Sequence, residues 1–156
     1  MANKGKYYES QFEEATIELL REAHWQYTLG DDIHRKYTDP LIEEDLRNFL
    51  AVQYKDKNLT TSEMDGIVAN LRNTGGQNDY YALRNAFLLY RDGYDFAYSD
   101  SRDNPFRMEY IDFEHPDHNI FRCVNQFVMG QGRENRRPDI LLFINGIPVC
   151  IIELKN

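Results

Sequence analysis

The chain has only two cysteines, Cys123 and Cys150, and no CxxC spacing. Each lies in an apolar, strand-like run. The pair therefore reads as reduced core residues of a cytosolic (cytoplasmic) protein, which excludes a disulfide framework and a cysteine zinc site. There is no apolar run near the roughly eighteen residues that a membrane-crossing helix needs. The polar stretch from Met1 to Ser10 lacks the apolar centre of an export signal. Positive charge is scarce: 18 Lys and Arg stand against 26 Asp and Glu, a net charge of -8. That balance weighs against a protein that coats nucleic acid by neutralising phosphates over a whole surface. It leaves room for one local basic patch, for DNA affinity lent by partners or other domains, and for acidic groups gathered around metal ions. The chain has no G-x-x-x-x-G-K-[ST] loop, so ATP hydrolysis does not reside in it. It also shows no helix-turn-helix or zinc module for reading bases, no internal repeat and no low-complexity segment.

What is present is an ordinary globular composition over 156 residues, 42% hydrophobic and 28% charged, enough for a single domain with a sound core. Residues up to about 92 read as helical. Ser10 is an expected N-cap for a helix to about His24, with Phe12, Ala15, Ile17, Leu19, Leu20 and Ala23 at its apolar positions. Trp25 and Tyr27 open a short extended piece that Gly30-Asp31-Asp32 closes. Asp39-Pro40 reads as cap and first helical proline for Leu41 to about Tyr54. Thr61-Ser62 with Glu63 starts another helix through Ile67, Val68 and Leu71, and Gly75-Gly76 breaks it. Asn78 to Arg91 follows with Tyr81, Leu83, Phe87, Leu88 and Tyr90. From about residue 93 the period changes to that of strands: Tyr94 to Tyr98, Arg107 to Phe113, Phe121 to Met129, Ile140 to Ile144 and Val149 to Leu154. The last two are apolar on both faces, as central strands of a covered sheet would be. The order predicts a mixed α/β domain with one sheet of about five strands flanked by helices. A central strand so near Asn156 further suggests a piece of a longer protein, truncated at its C-terminus.

The chemistry is concentrated at the end. Asp139 follows a proline and opens an apolar strand, Asn145-Gly146 turns the chain, and the return strand ends in Glu153-Leu154-Lys155. Side chains alternate along a strand, so Glu153 and Lys155 share a face. Two charges at the end of so apolar a strand are costly unless something compensates them. Phosphodiester hydrolysis supplies a reason. Mg²⁺ takes one or two carboxylates together with water and phosphate, so Asp139 and Glu153 could hold it, with the Leu154 carbonyl completing the set. Lys155 would orient or help deprotonate the attacking water and offset charge on the phosphorane. The plainer alternative is a turn aspartate and an ion pair at a strand end. Register discriminates within the first idea. A two-residue loop pairs Ile144 with Ile147 and sets Asp139 against Ile152, with Glu153 on the wrong face. A shared site predicts the longer, three-residue loop, which pairs Ile144 with Pro148 and has Gly146 left-handed, or a bulge that corrects the register. Pro148, lacking a donor, also argues against the two-residue loop.

The segment RPDILLFINGIPVCIIELKN, 137 to 156, resembles the active-site hairpin of the PD-(D/E)-x-K nucleases. More narrowly, it is similar to the N-terminal endonuclease domain of type I restriction enzyme R subunits. Leu41-Ile42-Glu43-Glu44-Asp45-Leu46, Ile111-Asp112-Phe113, Val124-Asn125-Gln126-Phe127 and Asn135-Arg136-Arg137-Pro138-Asp139 extend the similarity over most of the chain. The resemblance implies a restriction-endonuclease-like fold and Mg²⁺-dependent cleavage of double-stranded DNA. It makes Asp139 and Glu153 metal ligands and Lys155 the catalytic lysine. An acidic residue on the first helix often joins such sites. Glu13 fits that role best, with Glu14 and Glu9 as fallbacks and a solvated helix face as the other reading. The resemblance also implies a parent subunit with an ATP-driven motor, partnered by methylation and specificity subunits. The resemblance further implies a Gln/Tyr motif on a helix beyond the lysine, which would fall after Asn156. A docking module for those subunits, with the hairpin kept as structure, is the competing function.

Outside the hairpin, Arg133, Arg136 and Arg137 form a basic loop able to grip a DNA backbone, or simply a solvated loop. Gln126 either faces the site or is a core glutamine. His115 and His118, around Pro116-Asp117, read as a turn with two exposed histidines ahead of a metal pair. The 11 tyrosines fall at helix or strand spacing and read as core or rim.

Overall fold

A computed structural model describes residues 9–74, 78–130 and 135–154. Expectations at Gly75-Gly76, Arg133 and Lys155 lie outside those residues, as does the side chain of Glu9. The elements in chain order are α1 (Glu9–Glu22), β1 (Gln26–Leu29), α2 (Glu43–Gln53), α3 (Thr61–Arg72), α4 (Asp79–Asp92), β2 (Tyr94–Phe96), β3 (Phe106–Met108), β4 (Phe121–Asn125), β5 (Ile140–Ile144) and β6 (Ile147–Ile152). The fold is mixed α/β, and the chain forms two compact units: Met1–Ile42 with Ile120–Asn156, and Glu43–Asn119.

The first unit holds a four-stranded sheet in the order β1-β4-β5-β6. The β1–β4 pair is parallel, and the other two pairs are antiparallel. The expected five-stranded sheet is thus two sheets, because among the described residues β2 and β3 pair only with each other. The extended piece around Tyr27 supplies the main sheet's fourth strand instead. One face is covered by α1. Ile17 packs with Cys123 and Ile140, and Leu20, Trp25, Leu142 and Ile152 close around them. The other face carries Val124, Phe127, Leu141 and Phe143, covered by Ile42, Ile33 and Met129. Strand alternation explains the division: residues 140 and 142 of β5 point one way, 141 and 143 the other.

β5 is central and covered on both faces, as expected. β6 is not: it forms the sheet edge, with Val149 at 43% exposure, Ile151 at 55% and Cys150 also exposed. An apolar run reads the same whether or not a layer covers it, so the central position expected of β6 and the core position expected of Cys150 both fail. Cys123 is fully buried. Gly30, just after β1, allows the chain to pass against the end of β4. A Cβ there would lie 2.4 Å from the Gln126 carbonyl oxygen.

The second unit contains α2–α4 and the β2–β3 hairpin. Helix α3 begins on a full capping box: the Thr60 hydroxyl accepts the Glu63 N–H, and the Glu63 carboxylate accepts the Thr60 N–H at 2.9 Å. Helix α2 starts at Glu43, two residues later than Leu41, because the Asp39 carboxylate caps Leu41 N–H in a separate turn at 3.1 Å. In α1, Ser10 is helical and not the cap, since the helix already includes Glu9. The helix predicted over Asn78 to Arg91 is α4, capped by the Asn78 side chain, yet none of its residues is buried. The strand expected over Arg107 to Phe113 stops at Met108. Beyond it Tyr110 and Ile111 are buried, but the Asp112 side chain takes the N–H groups of Glu114 and His115 and turns the chain.

Candidate active site

The β5–β6 hairpin turns through Asn145 and Gly146, both left-handed at φ 51° and 75°, as a two-residue loop of this type requires. Asn145 is wholly buried, and it is tied to Ile120 in both directions. Its N–H donates to the Ile120 carbonyl at 2.8 Å, and its side-chain oxygen accepts the Ile120 N–H at 2.7 Å. The loop is therefore the short one, and it pairs Ile144 with Ile147 and Phe143 with Pro148. The register then shifts: Leu142 pairs with Cys150, Leu141 with Ile151 and Ile140 with Ile152, leaving Val149 as the extra residue of a bulge. The expected three-residue loop is therefore not present, and Pro148 does not prevent the short one, because it pairs with Phe143 inside the ladder; the bulge is the arrangement that corrects the register. Continued one step past Ile140–Ile152, the corrected register sets Asp139 opposite Glu153.

That end of the sheet is a row of four residues, since Leu29 pairs with Asn125, Asn125 with Ile140, and Ile140 with Ile152. Asp139 is half-buried, and its Oδ2 accepts the backbone N–H of Leu154 at 2.7 Å. Glu153 is exposed beside it. Arg136 exchanges two backbone hydrogen bonds with Met129, at 2.6 and 2.7 Å, and so closes the connection that leads into Pro138-Asp139. The side chains of Arg136 and Arg137 are exposed.

Glu13 reaches the same end of the sheet by a different route. It lies one helical turn before Ile17, on the face of α1 that meets the sheet, and its Oε1 accepts from Asn125 Nδ2 at 2.9 Å. The oxygen of that amide accepts the Tyr27 hydroxyl at 3.0 Å. Asn125 shares the face of Cys123, two residues before it. Alternation along β5 assigns Asp139 to the opposite face, with Leu141. Among the described residues, Glu13, Asp139 and Glu153 accordingly do not form a set of ligand atoms within 4.8 Å of one another. Glu14 is exposed. No local motif marks Tyr27 and Asn125 as site residues. Their partners are 98 and 112 positions away in sequence, and only the parallel β1–β4 pairing brings them together. Gln126 is half-buried just past the end of β4, with φ 57°.

The model for the family described as type I restriction enzyme R protein N terminus matches residues 6–156. The chain belongs to that family. It is 28% identical over 158 residues to the type I restriction enzyme HindI endonuclease subunit of Haemophilus influenzae, an alignment covering 95% of this chain and 15% of that protein. It is also 28% identical over 152 residues to a protein of Methanocaldococcus jannaschii assigned provisionally as the type I restriction enzyme MjaIXP endonuclease subunit, covering 92% and 15%. The chain thus spans about 15% of the length of these curated relatives. Among the described residues, no helix is long and apolar enough to cross a membrane.

The donor set at the hairpin end suits a hard divalent ion: two carboxylates and a backbone carbonyl, all oxygen. The hydrogen bond from Leu154 occupies one Asp139 oxygen and fixes that carboxylate against the β6 backbone. Its second oxygen is left for other ligation.

Proposed function

We propose that this R-subunit domain is a Mg²⁺-dependent endonuclease that hydrolyses phosphodiester bonds of double-stranded DNA. The observation that carries the reading is the Val149 bulge, which sets Asp139 opposite Glu153 at one end of the hairpin. A hairpin kept only as scaffold has no need of a bulge in that position. Asp139, Glu153 and the Leu154 carbonyl would hold Mg²⁺, which when bound supplies a Lewis acid for the phosphate and lowers the pKa of an attacking water. Lys155, next in the chain, orients that water and offsets charge on the phosphate oxygens. Arg133, Arg136 and Arg137 grip the DNA backbone. Glu13, held by Asn125, lies at the same end of the sheet but on its other face, outside this ligand set.

The partners that go with this reading are double-stranded DNA and the methylation and specificity subunits of a restriction-modification complex. The ATP-driven motor lies elsewhere in the parent subunit. A docking module is the second reading, favoured by the exposed Tyr80, Leu83 and Phe87 of α4. Mn²⁺ binding to the full subunit separates the two. The nuclease reading expects Asp139→Ala with Glu153→Ala to remove one bound Mn²⁺ per chain. Unchanged Mn²⁺ stoichiometry in that double variant favours docking.

A further inference from the structure

A second group of ligand atoms lies in the other unit, in the turn that follows β3. The Nδ1 atoms of His115 and His118 both face Oδ2 of Asp112, at 3.6 and 3.1 Å. The three ligand atoms lie within 4.8 Å of one another. Tetrahedral zinc with bonds of about 2.0–2.1 Å places neighbouring ligand atoms roughly 3.3 Å apart. The 3.1 and 3.6 Å separations bracket that value.

The turn is built to hold these groups. Asp112 is buried, and its Oδ1 accepts the N–H groups of Glu114 and His115 at 3.1 and 2.8 Å. Its Oδ2, the oxygen both imidazoles face, also accepts from Gln53 Nε2 at 3.0 Å, which fixes the direction of the carboxylate. Asn119 clamps the far end. Its side-chain oxygen accepts the Asp112 N–H at 2.9 Å, and its amide donates to the Asp112 and Pro116 carbonyls at 2.8 and 3.0 Å. Pro116 opens a single 3-10 turn, Pro116–His118, that carries His118 round to its partner. The two rings are stacked, 4.9 Å between centroids and 18° between planes. A bare pair of imidazoles gains little from aligning its Nδ1 atoms on one carboxylate oxygen. Both rings compete to donate to the same acceptor, and two protonated rings repel at that spacing. A cation shared by all three relieves both problems.

We propose that Asp112, His115 and His118 form a binding site for a zinc-class divalent transition ion, separate from the hairpin carboxylates. Two imidazoles and one carboxylate select for zinc and its neighbours over Mg²⁺. Both histidines are more than half exposed, so the remaining position stays open to water. Gln53, Asn119 and the Glu114 and His115 amides act as the outer ring of hydrogen bonds that holds the ligands in place.

The test is calorimetric titration of ZnCl₂ into the full subunit carrying Asp139→Ala and Glu153→Ala, so that the hairpin contributes nothing. Visible absorption of Co²⁺ in the same protein supplies an independent readout. One Zn²⁺ per chain is expected above any sites elsewhere in the subunit. His115→Ala or His118→Gln should each weaken that site at least about tenfold, a loss typical of perturbed metal shells, and both together should abolish it with its Co²⁺ band. Circular dichroism should stay unchanged, because both rings are exposed. Asp112 is left intact, since its Oδ1 holds the turn. The same Zn²⁺ stoichiometry and affinity with and without the two histidines would overturn the proposal.

Discussion

The carboxylate of Asp139 accepts the backbone N–H of Leu154 at 2.7 Å. This one bond joins the start of β5 to the residue that separates Glu153 from Lys155, so the hairpin's two acidic residues share a frame set by backbone geometry. Whether they share a face depends on the Val149 bulge.

Inserting one alanine between Cys150 and Ile151 should therefore be informative. Counted from the Leu142–Cys150 pair, the extra residue sets Ile140 against Ile151 and Asp139 against Ile152, which carries Glu153 to the opposite face from Asp139. The expected result is a folded domain with near-normal circular dichroism and DNA cleavage reduced by about 10²-fold or more, as misplaced catalytic groups produce. Cleavage at the parental rate would show that the hairpin register does not position the site.

Asn145 carries the turn. It is buried and left-handed, and it satisfies both the N–H and the carbonyl of Ile120. Asn145→Ala leaves the Ile120 N–H without its partner and replaces a residue that tolerates positive φ with one that does so less readily. A loss of about 2 kcal/mol is expected from the unpaired donor and the backbone strain together. Urea unfolding monitored by fluorescence of Trp25, which lies in the same unit, measures it.

The segments differ in how much of this arrangement their sequence reveals. Ile140 to Ile144 was legible to the residue, because a short, wholly apolar run between a proline-aspartate start and an Asn-Gly turn leaves few alternatives. Thr60 and Glu63 announce a capping box by spacing alone, although the cap falls one residue before the expected start at Thr61. Phe113 was drawn into a strand by the apolar residues before it, whereas the local hydrogen bonds of Asp112 decide the backbone there. Phe12, Leu19, Leu83 and Phe87 set a helical period correctly yet remain exposed. Periodicity reports which residues share a face, not whether anything covers that face. Asp139 and Glu153 could be placed at facing strand ends from the sequence because their motif is local. The chain from Tyr27 through Asn125 to Glu13 could not, since it exists only once β1 lies parallel to β4.

Glu63 predicts an acid-sensitive second unit. The Arg102 guanidinium, with the Thr60 N–H, holds its carboxyl well below the ordinary 4.5, at about 2. The folded pKa is depressed, so the stabilisation is fully present above pH about 4.5 and is lost as pH falls towards about 2. Glu63→Gln should be less stable than the parent at pH 7, and the difference should shrink through that window. Urea midpoints at several pH values test this. A constant difference would remove Glu63 as the titrating group.

Arg136 and Arg137 are exposed beside Asp139, and the Arg136 backbone is pinned to Met129. If they contact DNA phosphates, each substitution to Ala should weaken binding uniformly across sequences and reduce the salt slope, log Kd against log salt, by about 1. Fluorescence anisotropy over a salt series reads this directly. An unchanged slope assigns both side chains to solvent.

The central claim is tested most directly by DNA cleavage with the full subunit assembled in its complex, comparing the parent with Asp139→Ala and Lys155→Ala while ATPase activity is followed in the same samples. The account predicts that both substitutions abolish cutting and leave ATP hydrolysis at its parental rate. Undiminished cutting by both variants would contradict it and leave the hairpin as a docking scaffold.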